Sequence, residues 1–91
     1  MDSARLLIVD DDIKFCRLLR EYLQPLGYTV EVVHNGLQGL QVARQGGYAA
    51  VILDVMLPKM NGWDILREFR RDSQTPVLML TALGDEPDRI A

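Results

Sequence analysis

Four short apolar segments recur along the chain and are separated by amphipathic stretches. The segments are Leu6–Val9, Val30–Val33, Ala49–Leu53 and Val77–Leu80. Three of them are apolar at every position, which is typical of strands that are covered on both faces in a parallel sheet. The second contains Glu31 and partly alternates, which indicates an edge strand with one face toward water. We therefore expect the second strand to lie outside the first.

Helical periodicity fills the stretches between these strands. The first helix carries two adjacent apolar rows, which make a broad apolar face: Ile13, Phe15, Cys16, Leu18, Leu19, Tyr22, Leu23 and Leu26. It should end near Gln24, because Pro25 disfavours helical backbone before it. Asp12 and Asn35 are expected to cap the first and second helices. Further helices are marked by Leu37, Leu40 and Ala43, by Ile65, Leu66 and Phe69, and by Asp85 or Glu86 with Pro87 in the first turn.

Strands that alternate with helices in this way predict a parallel sheet with right-handed crossovers and helices on both faces. The 91 residues allow one small domain, so we expect a doubly wound α/β domain over residues 1–91. The net charge of −3 argues against direct binding of nucleic acid. No apolar run approaches the ~20 residues that span a bilayer, and the single cysteine cannot form an internal disulfide, so a cytoplasmic protein is expected.

Acidic residues follow two of the predicted strands. The first strand ends in Asp10, Asp11 and Asp12, and the third ends in Asp54. If the second strand is outside, the first and third are neighbours, and these carboxylates converge where ligands bind in such sheets. A cluster of carboxylates suits a hard cation such as Mg²⁺, beside which Asp54 can act as a nucleophile toward phosphorus. Aspartates after strands also serve simply as caps and turn formers, which is the expected role of Asp12.

The loop after the third strand and the end of the fourth add to this site. Pro58 stiffens the loop, and an Asn61–Gly62 turn precedes the third helix. The hydroxyl of Thr81 can hydrogen-bond a phosphoryl oxygen on Asp54, while the small Ala82 leaves room for the group. Taken alone, Thr81 is an ordinary strand-end turn residue.

Three motifs occur here in the order and separations of a known family: Leu7–Asp11, Asp54-x-x-x-Pro58-x-x-x-Gly62, and Pro76–Ala82. Over essentially all of its length the chain resembles the receiver domain of two-component response regulators, most closely the receivers of winged-helix transcription factors. The resemblance implies a flavodoxin-like doubly wound sheet with strand order 2-1-3-4.

The same resemblance assigns roles to the site residues. Asp54 is expected to be the phosphoacceptor, and Thr81 the switch hydroxyl. Asp10 and Asp11 are expected to hold Mg²⁺ with Asp54, and Met56 to add its backbone carbonyl. The phosphoryl donor would be a phosphohistidine of a sensor histidine kinase. Asp54 would then be phosphorylated in a Mg²⁺-dependent reaction, without turnover as an enzyme.

The sequence departs from the family after the fourth strand. Receiver domains have a fifth strand followed by a lysine, and a final helix, whereas the only lysines here are Lys14 and Lys59. We therefore expect a C-terminally truncated receiver. Val77–Leu80 would then be an exposed edge strand without charges, which favours a homodimer or higher association through this edge.

Two other functions stay open on the sequence alone. The missing lysine favours a phosphorylation-incompetent interaction or dimerisation module. A small Mg²⁺-dependent phosphohydrolase is disfavoured, because no general acid beyond the aspartates is evident. His34, the only histidine, has no cysteine or histidine partner in the motifs, so we do not expect a zinc ligand.

Overall fold

A computed structural model describes residues 3–80 of the chain and the backbone of residues 89 and 90. The strands are β1 (Arg5–Val9), β2 (Thr29–Val33), β3 (Ala50–Asp54), β4 (Val77–Leu80) and β5 (Arg89–Ile90). The helices are α1 (Ile13–Leu23), which a short 3₁₀ turn (Gln24–Leu26) extends, α2 (Gly36–Arg44) and α3 (Gly62–Phe69). All four apolar segments form strands, and α1 ends at the position expected from Pro25.

The strands form one sheet in the order β2-β1-β3-β4-β5. The pairs β1–β2, β1–β3 and β3–β4 are parallel. This arrangement confirms the predicted order 2-1-3-4 and the position of β2 outside β1. Because β1 and β3 are neighbours, the residues that follow them lie at the same edge of the sheet.

Strand β5 was not predicted from the sequence. This two-residue strand pairs antiparallel with β4, so that Leu78 lies opposite Ile90 and Met79 opposite Arg89. The expectation that β4 is an open edge was therefore wrong at these two positions, because β5 occupies their free backbone groups. Homodimerisation or higher association of the chain stays a prediction. The predicted start of a fourth helix at Asp85 or Glu86 lies outside the described residues.

Each of the three α-helices begins with a side-chain cap. Asp12 accepts a hydrogen bond from the Phe15 amide at 3.0 Å, and Asn35 accepts one from the Gln38 amide at 2.8 Å. Asn61 does the same at the start of α3. A side-chain oxygen at this position pairs one of the free amides of the first turn. The two predicted caps are confirmed.

The sheet is covered on both faces by unequal apolar layers. Helices α2 and α3 close the larger layer, in which Leu7, Leu53 and Met79 are almost fully buried. Helix α1 closes the smaller layer through Cys16, a residue of its predicted apolar face. The predicted apolar face of α1 is covered only in part. One of its two rows is solvent-exposed; it consists of Phe15, Leu18 and Tyr22, with Leu26 beyond the helix.

A network of side chains joins three segments at the amino ends of the strands. The Arg5 guanidinium lies 2.6 Å from Glu31 Oε1 and 4.5 Å from the centre of the Tyr48 ring. The Tyr48 hydroxyl donates to Glu31 Oε2 at 2.6 Å. This network therefore links β1, β2 and the residues before β3 at the edge opposite the acidic residues.

Candidate functional site

Two neighbouring strands place the acidic residues at the carboxyl edge of the sheet. Val9 lies opposite Leu53 in the parallel register, so Asp10 and Asp54 follow at the same level. The amide of Asp10 donates to the Val33 carbonyl at 3.1 Å, which extends the β1–β2 pairing by one residue. The backbone of Asp10 is thus fixed by the sheet itself.

The carboxylates of Asp10, Asp11 and Asp54 form a cluster. Each offers one oxygen, and these oxygens all lie within 4.8 Å of one another. The cluster lies in an open cavity of about 510 Å³, which Asp12, Phe15, Met56 and Leu80 also line. Three carboxylates at this spacing are an oxygen-only ligand set of the kind that Mg²⁺ and Ca²⁺ prefer.

Asp10 is the buried member of the cluster, with 6% of its surface exposed. Burial raises the pKa of its carboxyl, and the nearby charges of Asp54, Asp11 and Asp12 raise it further, while a hydrogen bond from the Asp12 amide partly opposes this. Desolvation and like charges both disfavour the ionised form. The cluster therefore carries uncompensated negative charge that a bound cation would neutralise.

The loop after β3 is tied to Asp54 and to β4. The Met56 amide donates to Asp54 Oδ1 at 3.0 Å, which fixes one carboxylate oxygen. The Val55 amide donates to the Leu80 carbonyl at 3.0 Å, and the Gly62 amide to the Val55 carbonyl at 2.9 Å. The start of α3 and the end of β4 are thus both bonded to Val55, the residue after Asp54.

The structure brings together most of the residues that the sequence analysis selected. Asp10, Asp11 and Asp54 converge, and Met56 follows beside them in the loop. A role of the Met56 carbonyl as a ligand stays a prediction. Thr81 and Ala82 lie outside the described residues, so their roles also stay predictions.

One contact at the site was not foreseen. His34 Nδ1 lies 2.9 Å from the backbone carbonyl oxygen of Asp10. From the sequence, this histidine was of interest only as a zinc ligand, a role that was not expected for it. The sequence offers one signal for the contact: His34 follows β2 directly, on the strand that pairs with β1.

The fold and the acidic site define a class of protein, and comparison with known families agrees. The profile of the response regulator receiver domain matches residues 6–91. The chain belongs to this family.

Curated relatives are transcriptional regulators. The chain is 47% identical over 91 residues to an uncharacterized transcriptional regulatory protein, YkoG, of Bacillus subtilis, covering 99% of this chain and 40% of that protein. It is 47% identical over 87 residues to a CpxR homolog of Haemophilus influenzae, covering 96% of this chain and 38% of that protein. The chain thus spans about two fifths of the length of these relatives.

Solved receiver structures have the same fold. Response regulator TrrA of Thermotoga maritima, solved in complex with Mg²⁺ and BeF, superposes with a TM-score of 0.83 at 34% identity, over 89% of this chain and 71% of that one. Chemotaxis response regulator CheY4 of Vibrio cholerae gives a TM-score of 0.84 at 35% identity, over 91% of this chain and 72% of that one. Within the described residues, the helices are too short or too polar to cross a membrane.

Proposed function

We propose that the chain is the phosphoacceptor of a two-component phosphorelay and that Asp54 receives the phosphoryl group. The observation that carries this proposal is the convergence of Asp54 with Asp10 and Asp11, with carboxylate oxygens within 4.8 Å of one another. The phosphoryl donor would be a phosphohistidine of a sensor histidine kinase in the cytoplasm. Membership of the receiver family supports both parts of the proposal.

The cluster fits Mg²⁺ by its chemistry. Its ligands are oxygen atoms only, and the raised pKa of Asp10 reflects negative charge in a partly desolvated place. We propose Asp10, Asp11, Asp54 and the Met56 carbonyl as the ligands. The ion, when bound, supplies charge neutralisation between the carboxylates and the incoming phosphoryl group. A relative of the same fold, TrrA, was solved with Mg²⁺ and BeF.

The chain's own residues prepare Asp54 as a nucleophile. The Met56 amide holds Oδ1 at 3.0 Å, so the carboxylate is oriented before the donor arrives. In the transfer, a carboxylate oxygen of Asp54 forms a bond to phosphorus while the bond from phosphorus to the donor's imidazole nitrogen breaks. The imidazole keeps that electron pair. The product is an acyl phosphate on Asp54, for which Thr81 and Ala82 are proposed to provide a hydroxyl donor and space.

The effect of phosphorylation is proposed from the descriptions of two relatives. YkoG and the CpxR homolog are described as transcriptional regulatory proteins, and this chain aligns with about two fifths of each. We propose that phosphorylation of the chain regulates transcription through a partner or a further part of the protein. The net charge of −3 supports an indirect role rather than binding of DNA by these residues.

The proposal is tested by treating the chain with acetyl phosphate and measuring its intact mass. We expect a mass gain of one phosphoryl group with Mg²⁺ and none with a chelator. Beryllofluoride with Mg²⁺ should give a specific complex of the same site. No mass gain and no complex would favour the interaction module instead, a reading that the presence of only two lysines, Lys14 and Lys59, supports.

Asp10 allows a second test, based on stability. Because folding raises the pKa of Asp10, the folded chain binds this proton more tightly than the unfolded chain, so stability without metal should fall as the pH rises through the titration of Asp10. Asp10→Asn removes the charge and keeps an oxygen for the Asp12 amide. At neutral pH without metal, we expect it to raise the free energy of unfolding by about 1 kcal/mol, the repulsion of two charges at 4 Å in water.

The same variant should lose its response to the metal. Urea unfolding with and without Mg²⁺ should show stabilisation of the wild type and none of Asp10→Asn, since only a native state that binds the ion gains stability from it. A variant that Mg²⁺ stabilises as strongly as the wild type would remove Asp10 from the ligand set.

A further inference from the structure

We infer that His34 is a positioning residue for the acidic site: its Nδ1–H bond to the Asp10 carbonyl fixes the peptide between Asp10 and Asp11. The inference rests on the proposed function, because it assigns to His34 an effect on Mg²⁺ binding. The hydrogen bond of His34 is to the backbone of Asp10, and His34 is not among the three residues whose carboxylates converge in the described part of the chain.

The contact has a defined direction. His34 Nδ1 lies 2.9 Å from the Asp10 carbonyl oxygen, and a carbonyl oxygen can only accept. Nδ1 must therefore carry the proton, which fixes the tautomer of the neutral ring. Cys16 Sγ lies 3.4 Å from the same oxygen, as a weaker second donor from α1.

The position of His34 is itself well determined. The preceding residue, Val33, is buried and accepts the Asp10 amide at 3.1 Å. The following residue, Asn35, caps α2 through its side chain. Since both neighbours are held, the ring starts from a fixed backbone and can hold the Asp10 carbonyl in turn.

The held carbonyl belongs to the peptide group that connects the first two carboxylates. A peptide group is planar, so fixing its oxygen restrains ψ of Asp10 and φ of Asp11 together. These angles set the directions in which the two side chains leave the backbone. The bond from His34 therefore reduces the freedom of Asp10 and Asp11 before any ion binds, and a preorganised ligand set binds more tightly.

The test compares Mg²⁺ affinity in two variants by isothermal titration calorimetry. His34→Leu removes the donor, and we expect an affinity about three- to tenfold weaker than that of the wild type, as for the loss of one hydrogen bond. In His34→Asn, Nδ2 stands at the same number of bonds from Cβ as Nδ1 of histidine. It can donate to the same carbonyl, so we expect an affinity within about twofold of the wild type.

A control separates positioning from stability. Val30→Ala opens a small cavity in the same apolar layer under α1, at a position that pairs with Leu6, four residues before Asp10. It should lower the urea midpoint and leave the Mg²⁺ affinity unchanged. An equal loss of affinity in Val30→Ala and His34→Leu would overturn the inference, as would wild-type affinity in His34→Leu.

A further measurement uses the wild type, so its result does not depend on whether a variant folds. Long-range ¹H–¹⁵N correlation spectra of the metal-free chain at a pH where the ring is neutral report which nitrogen carries the proton. A proton on Nδ1 supports the inference, and a proton on Nε2 overturns it. If the wild type binds no Mg²⁺, the proposed metal site is overturned and this inference with it. If the wild type and His34→Leu bind Mg²⁺ equally well, the inference alone is overturned.

Discussion

Replacing Asp54 with asparagine is expected to reduce phosphoryl incorporation from acetyl phosphate to background, a loss of at least about 100-fold. The amide keeps the shape of the carboxylate and an oxygen that can accept from the Met56 amide, now 3.0 Å from Oδ1. It has no oxygen with the charge needed to attack phosphorus. The fold should therefore persist while the reaction is lost. Intact-mass measurement after treatment with acetyl phosphate and Mg²⁺ checks this result.

Asp64→Asn is the matched control. Asp64 lies in the first turn of α3, and its side chain is about half exposed and pairs with Arg67 at 3.5 Å, away from the carboxylate cluster. This variant should gain one phosphoryl group as the wild type does. Incorporation that survives Asp54→Asn at the wild-type level would place the modification elsewhere and reject Asp54 as the acceptor.

Gly62→Ala is expected to give the largest loss of stability among the substitutions considered. A Cβ at Gly62 would lie 2.5 Å from the Asp54 carbonyl oxygen and 2.8 Å from Val55 Cα. Both are backbone atoms, so α3 would have to move away from β3, which breaks the 2.9 Å bond from the Gly62 amide to Val55. We expect the free energy of unfolding to fall by about 2–3 kcal/mol, as for other overpacked sites. Urea unfolding at neutral pH measures this change.

Gly36→Ala provides a closely matched comparison. Gly36 is also the first residue of a helix that follows an asparagine cap. A Cβ there would meet the terminal methyl group of Ile65, which belongs to a side chain rather than to the backbone. That methyl group can move, and alanine favours the helix by up to about 1 kcal/mol, so the net loss should stay below about 1 kcal/mol. Equal losses in the two variants would contradict the close approach at Gly62.

The sequence was sufficient to predict the parallel sheet, because a strand that is covered on both faces must be apolar at nearly every position. The partial alternation around Glu31 also placed β2 at an edge, and this placement made β1 and β3 neighbours. The convergence of Asp10, Asp11 and Asp54 then followed from topology alone. Residues that follow neighbouring parallel strands can be predicted to share a site, because the carboxyl ends of these strands meet at one edge of the sheet.

Other features depend on tertiary contacts that leave no periodic signal. Two residues, Arg89 and Ile90, are too few to show alternation, so β5 could not be predicted. The contact of His34 with Asp10 depends on one rotamer and one carbonyl direction. The two apolar rows of α1 were predicted from the sequence as one broad face. Periodicity alone does not show which of the two rows packs against the sheet.

The network of Arg5, Glu31 and Tyr48 lies far from the cluster of carboxylates. It lies at one end of strands that are five residues long, roughly 16 Å from the opposite end, where the carboxylates converge. Substitutions in this half-exposed network are therefore expected to change the stability of the domain only slightly and to leave the positions of Asp10, Asp11 and Asp54 unchanged.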